Sequence, residues 1–166
     1  MLMKYINFKI LKTDDAENMS RLLLNSSKSY IKYFHPFDFQ PSSIKEVLSK
    51  AEKDKFFGLE VKHDCSSELA GFYMLRGLDE GYAHPMYGVF ISHQYSSQGI
   101  ASLTIIHAES LCKLNGYERL LLKVNKENIR AKELYESLGF KFMREETSIN
   151  NIVLYKDICI KTNPKK

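Results

Sequence analysis

Met86-Tyr87-Gly88-Val89-Phe90-Ile91-Ser92-His93-Gln94-Tyr95-Ser96-Ser97-Gln98-Gly99-Ile100-Ala101-Ser102 is the stretch on which the reading of the chain turns. Its first six residues are largely apolar and read as a strand. Small residues then dominate from Ser96 to Ser102, where a helix opens. Such residues let a ligand approach the backbone closely. The first turn of a helix has unpaired N–H groups and the positive end of the helix dipole, a setting that favours phosphate. An exposed anion contact there contributes about 0.3–1 kcal/mol, and up to about 2 kcal/mol when partly buried. By itself a strand-to-helix turn of this composition is common. Neither Gly-Lys-Ser/Thr nor G-x-G-x-x-G is present, so the nucleotide loops marked by those patterns are not matched.

Downstream, the helix runs to Asn115-Gly116, a C-terminal stop signal. Arg119 to Val124 is an apolar strand. Asn128 to Leu138 reads as a helix stopped by Gly139, and strands near Lys141–Thr147 and Ile152–Ile158 follow. Asn128 and Tyr135 lie about two helical turns apart and share a face, with the small Ala131 between them. That face leaves room for something to lie along the helix. Read alone, it is also what a capped helix with a core tyrosine looks like.

Upstream, Tyr5 to Leu11 alternates, with Ile6, Phe8 and Ile10 on one face of a strand. Thr13-Asp14-Asp15 caps a helix carrying Ala16, Met19, Leu22 and Leu23. An aromatic stretch, Tyr30, Tyr33, Phe34, Phe37 and Phe39, is broken by Pro36. Ser43-x-x-Glu46 has the form of a capping box before a helix bearing Ile44, Val47, Leu48 and Ala51. Phe57, Leu59 and Val61 form a strand, paired as a hairpin with Leu69 to Leu75 across the turn His63–Ser67. The predicted order is β-α-α-β-β-β-α-β-α-β-β: an α/β (α+β) domain on one mixed, mostly antiparallel sheet of about seven strands with about four helices. The strand–helix–strand unit from Met86 to Val124 supplies the one parallel pairing.

The 166 residues suit a single domain spanning 1–160 with a polar tail from Lys161 to Lys166. A formal net charge of +4 without a basic run argues against a nucleic-acid partner. No apolar run approaches a membrane span, and Met1 to Ile6 does not begin a signal peptide. Three widely spaced cysteines, Cys65, Cys112 and Cys159, suggest neither a metal site nor a disulfide framework. Reduced thiols and a cytoplasmic location are the expectation.

Together the two segments resemble the GNAT superfamily of N-acetyltransferases. The likeness spans about a third of the chain, Met86 to Phe142, and the upstream element order agrees. That family's loop is Gln/Arg-x-x-Gly-x-Gly/Ala; this chain has Ser96-Ser97-Gln98-Gly99-Ile100-Ala101. Ser96 stands where Arg or Gln is usual. The later pattern, Asn-x-x-Ala-x-x-x-Tyr-Glu-x-x-Gly-Phe, is matched in full from Asn128 to Phe140.

The resemblance implies acetyl-CoA as cosubstrate, no metal, and an amine acceptor attacked without a covalent enzyme intermediate. It implies that the backbone of Val89, Phe90 and Ile91 holds the pantetheine arm. It places the pyrophosphate on Ser97, Gln98, Gly99, Ile100, Ala101 and Ser102, with Asn128 near the acetyl end. Tyr135 would protonate the departing thiolate. A tyrosine pKa near 10 keeps that proton at neutral pH, and general-acid help of about 10²–10⁴-fold is usual, with the low end expected for a thiolate leaving group. A homodimer stays open, since relatives often pair through their late strands.

A lysine-like amine, with a pKa of about 10.4, is only about 0.04% neutral at pH 7, so an acceptor for its proton is needed. Many relatives carry Glu on the fifth strand twelve residues before the tyrosine; here that position is Lys123. Glu80 is the preferred substitute, ahead of Asp79, His84 and His93. Tyr33 and Phe34 of the aromatic stretch, and Asp79 of the loop Asp79-Glu80-Gly81-Tyr82, are the candidate acceptor contacts. Acidic and aromatic groups together suit a small cationic amine or an amino sugar. Two readings compete: a protein or peptide N-acetyltransferase, and a CoA-binding regulatory module without catalysis.

Overall fold

The computed structural model describes residues 3–158. The polar tail and Cys159 lie outside the described residues. Seven strands form one sheet in the order β1-β2-β3-β4-β5-β7-β6. They are β1 (Tyr5–Ile10), β2 (Lys55–His63), β3 (Ser66–Arg76), β4 (Met86–Ile91), β5 (Arg119–Asn125), β6 (Lys141–Glu146) and β7 (Asn151–Asp157). The helices are α1 (Ala16–Leu24), α2 (Lys28–Ile31), α3 (Pro41–Lys50), α4 (Ile100–Asn115) and α5 (Ile129–Ser137).

Both faces of the central strands are buried, which explains their nearly continuous apolar sequence. In β3, Tyr73 and Leu75 join a core cluster with Ile105, Ala108, Leu120, Leu122 and Leu154. Phe72 and Met74 point the other way, to Met19 and Leu23 of α1 and Ile44 and Leu48 of α3. Helix α4 buries Ile100, Thr104, Ile105, Ala108 and Cys112, a stripe at helical spacing. Gly116, at φ +75°, ends α4 in the left-handed conformation that a C-terminal stop requires.

The sheet opens at its centre. Strand β4 pairs with β5 in parallel only at Met86↔Leu121 and Tyr87↔Leu122. Beyond them β4 stays with β3 as far as Gly71↔Ile91, while β5 stays with β7 as far as Asn125↔Asn151. Each strand thus keeps its outer neighbour, and a wedge forms between them. Among the described residues, the β4 edge from Gly88 to Ile91 faces that wedge without a strand partner.

Local details depart from the expected caps. Helix α3 begins at Pro41 with Gln40 as N-cap, so Ser43 lies inside the helix and the predicted capping box is absent. Proline at the first position is pre-set for helical φ and lacks only an N–H that would be unpaired anyway. Glu46 instead pairs with Lys50 one turn on. Thr13–Asp15 forms a 3₁₀ turn ahead of α1, with the Asp15 carboxylate accepting the Lys12 N–H at 2.8 Å. Ile10, expected on the buried face of β1, is exposed at the strand's end, whereas Ile6 and Phe8 pack on the core. The aromatic stretch contributes a one-turn helix, α2, as a fifth helix.

Candidate active site

The wedge is the floor of a cavity of about 1450 Å³. Its wall joins the β4 edge, the N-terminus of α4, helix α5 and the aromatic stretch.

At one end, the backbone of Ser97 to Ser102 turns into α4. Gly99 has φ +77° and caps the helix; a Cβ there would meet nothing within 4 Å, so conformation, not space, is what favours glycine. Ser97 also has positive φ, +60°, which a non-glycine residue adopts at a cost of about 1–3 kcal/mol. Among the described residues, no backbone acceptor takes the N–H groups of Ser97 to Ser102. These donors have the arrangement an anion needs. Ser97, Gly99, Ile100, Ala101 and Ser102 line the cavity. Gln98 does not: its side-chain amide donates to the Gln94 carbonyl at 3.2 Å.

Ser96 spends its hydroxyl on the His93 carbonyl at 2.7 Å and brings no charge. A cation arrives from elsewhere. Arg130, in the first turn of α5, donates to the Ser97 hydroxyl and lines the cavity. Sequence reading passed over this residue. The signal was its place two residues after Asn128, but only the fold shows that α5 lies over the loop. Asn128 caps α5, its Oδ1 accepting the Ala131 N–H at 3.3 Å, and it lines the cavity with Ala131.

Tyr135 sits on the same wall, edge-on to Tyr87 at 6.5 Å and to Phe140 at 5.9 Å. Burial pushes its hydroxyl pKa up to about 12. Tyr87 is buried beside it and bonded to Thr104 Oγ1 at 2.6 Å, and burial raises its pKa as well. Val89, Phe90 and Ile91 line the wedge.

The aromatic stretch divides between two jobs. Tyr30, Tyr33 and Phe34 line the cavity, while Phe37 and Phe39 pack on the α1–α3 core. Tyr30 reaches across to β4 and donates its hydroxyl to the Ile91 carbonyl at 2.5 Å. Two carboxylates line the cavity, Glu80 and Glu133. Glu80 shares its end with Arg76 and Tyr82, whereas Glu133 lies on α5 near Arg130. Lys123 is on the wall, its Nζ 3.1 Å from Glu146.

Asp79 does not line the cavity, contrary to expectation. Its carboxylate accepts the backbone N–H groups of Glu52, Lys53 and Asp54 at 3.0, 2.8 and 3.1 Å. The Lys53 N–H is the main reason its pKa is held low. Asp54 returns the favour, accepting the Leu78 N–H at 2.8 Å. This brace ties the β3–β4 loop to the turn before β2 and sets where Glu80 begins. His84 and His93 are also off the cavity wall; His93 packs edge-on to Tyr30 at 5.0 Å.

One cavity thus joins a splayed strand pair, a helix N-terminus whose N–H groups have no backbone acceptor among the described residues, and the phenol of Tyr135. Residues 22–140 match the Acetyltransferase (GNAT) family, and the chain belongs to that family. It is an acyltransferase. It is 24% identical over 134 residues to the 5-NmdU N-acetyltransferase of Pseudomonas phage PaMx11, covering 70% of this chain and 94% of that protein. Its fold is shared with spermidine N-acetyltransferase from Vibrio cholerae, solved with CoA and spermine: TM-score 0.75, 20% identity, 92% of this chain and 95% of that one. It is shared too with PaiA N-acetyltransferase from Thermoplasma acidophilum, solved with coenzyme A: TM-score 0.73, 16% identity, 92% and 99%. Among the described residues, no helix is long and apolar enough to cross a membrane.

Proposed function

We propose that the protein transfers an acetyl group from acetyl-CoA to a primary amine on a small molecule. The observation that carries this is the row of unpaired N–H groups at the α4 N-terminus opening into the same cleft as Tyr135. Relatives named as acting on 5-NmdU and on spermidine fit a small amine acceptor. So do the bulky rings of Tyr30, Tyr33 and Phe34 on the cavity wall.

Ser97 to Ser102 hold the pyrophosphate through backbone N–H groups, and Arg130 adds the charge that Ser96 lacks. The β4 edge at Val89 to Ile91, where Tyr30 already occupies the Ile91 carbonyl, holds the pantetheine arm, and Asn128 lies beside it. Bound there, acetyl-CoA supplies the acetyl thioester. An N–H of the β4 edge donates to the acetyl carbonyl oxygen, where negative charge builds as the amine attacks. Glu80 accepts the proton that the amine gives up. Tyr135 donates its proton to the leaving sulfur; the raised pKa keeps that proton in place throughout the working pH range.

The test is calorimetry with acetyl-CoA, followed by a free-thiol assay over small amines and short peptides. Binding plus thiol release with a small amine is expected. Binding without release from any amine would favour a CoA-binding regulatory module, and release only with peptides would favour a peptide acceptor. Glu80→Gln should lower kcat about tenfold or more at pH 7 and leave acetyl-CoA affinity unchanged. An unaltered rate removes Glu80 from the base role.

A further inference from the structure

The acceptor end of the cleft has an unpaired guanidinium. Arg76 is the last residue of β3, opposite Met86 of β4. It alternates with Met74 and Phe72, so it stands on the sheet face covered by the aromatic stretch. The side chain is half-buried and lines the cavity. One nitrogen donates to the Pro36 carbonyl at 3.2 Å, and the guanidinium lies 5.9 Å above the Phe56 ring. A guanidinium has five N–H donors. Among the described residues no carboxylate comes within ion-pair distance of Arg76.

Lys32, on the segment that leads to Pro36, sits over the Tyr33 ring at 4.6 Å and also lines the cavity, likewise without a carboxylate partner among the described residues. Other cations on the wall are already accounted for. Lys123 is paired with Glu146, and Arg130 lies at the α4 loop. Among the described residues, the cavity wall therefore carries two cations without a carboxylate partner, Arg76 and Lys32, and the loop that follows Arg76 adds the carboxylate Glu80 to the same wall. A polyamine would meet the wrong sign of charge there. An amine that also carries an oxyanion fits: its nitrogen toward Glu80, its anion toward Arg76. A planar guanidinium with donors to spare suits carboxylate and phosphate alike.

Resting on the acetyltransferase reading above, we propose that the acceptor amine carries an anionic group, a carboxylate or a phosphate, and that Arg76 binds it with help from Lys32. Arg76 thereby sets specificity, and the Pro36 carbonyl holds the guanidinium in place.

The experiment compares matched acceptors by thiol release: glucosamine against glucosamine 6-phosphate, alanine amide against alanine, and spermidine. For each, binding to the CoA complex is measured alongside. In the unmodified protein, the charged member of at least one pair should have a kcat/KM about tenfold or more above its neutral partner, and above spermidine. Which pair responds distinguishes phosphate from carboxylate. Arg76→Ala should erase that ratio by raising acceptor KM, while the Kd for acetyl-CoA stays the same. Arg76→Lys should restore part of it, and it guards against a variant that merely loosens the Pro36 segment. Equal or better use of the neutral members or of spermidine overturns the proposal. So does a ratio that survives Arg76→Ala, or a CoA complex that neither binds nor turns over any charged member. Failure to bind acetyl-CoA would instead sink the acetyltransferase reading itself.

Discussion

The two ends of the cleft are made of different materials. The α4 end is built of backbone: N–H groups of six consecutive residues, set by Gly99 and Ser97 in left-handed conformations, with one arginine added. The acceptor end is built of side chains from segments far apart in sequence, Lys32 and Tyr33 beside α2, Arg76 on β3, and Glu80 and Tyr82 after it. A donor common to a whole family can be bound by groups that every residue type provides. An acceptor that differs between relatives needs groups that a substitution can change. On the proposed reading, the chain binds its donor through loop geometry and selects its acceptor through side chains.

The largest expected effect breaks the first half of that contrast. Ala101→Asp puts a carboxylate among the free donors. An acid in the first turn suits the α4 dipole, so the fold should survive. Like-charge juxtaposition costs several kcal/mol, so calorimetry should show acetyl-CoA affinity lower by about 100-fold or more. Retained affinity would mean that the phosphates do not sit at this turn.

Tyr135→Phe belongs to neither end and should separate binding from chemistry. It should reduce kcat by about 100-fold with little change in either KM. Because the phenol pKa is raised to about 12, the wild-type kcat should show no alkaline fall attributable to Tyr135 until pH approaches that value. An alkaline limb near pH 10 that vanishes in Tyr135→Phe would contradict this.

Arg130→Ala sharpens the contrast by removing the side-chain cation that reaches Ser97 at the backbone-built end. Acetyl-CoA Kd should rise about tenfold, and its dependence on salt should weaken; acceptor KM should hold steady. A change in acceptor KM alone would relocate Arg130 to the other end.

The smallest effect is expected at a site remote from both ends. His107 of α4 stacks on Phe8 at 4.2 Å and bonds Tyr73 through Nδ1. Burial lowers its pKa from 6.5. The folded protein therefore holds His107 neutral while the unfolded chain takes up a proton below that value. Its stabilising contribution is present above pH 6.5 and is lost as pH falls through the folded value. Melting temperature should decline on acidification below 6.5, and less so in His107→Phe. An equal decline in both would assign it to other groups.

Legibility in the sequence followed the same division. Strand and helix order, the single parallel pairing and the stop at Gly116 follow from periodicity and local turn chemistry. The α4 loop and the Asn128–Phe140 pattern are contiguous, so their chemistry could be read residue by residue. Asp79 illustrates the limit: its charge and loop position fit an acceptor contact, yet three backbone N–H groups from the turn before β2 occupy it. No local pattern announces that brace, because its partners lie some 25 residues away. Arg130 was missed for the matching reason, since its partner Ser97 is on another element.

By itself the sequence determined the order of elements, the resemblance to a family and the place where the α4 turn offers its donors. These depend on neighbours along the chain, where φ, ψ and side-chain periodicity act directly. Only the tertiary structure decided that β4 and β5 part after Tyr87 and Leu122, that Arg130 reaches the α4 loop at Ser97, and that Arg76, Lys32 and Glu80 line one cavity. Those are long-range packing outcomes. They follow from which faces of the sheet are covered and which strand keeps its outer neighbour, and no single segment contains that information.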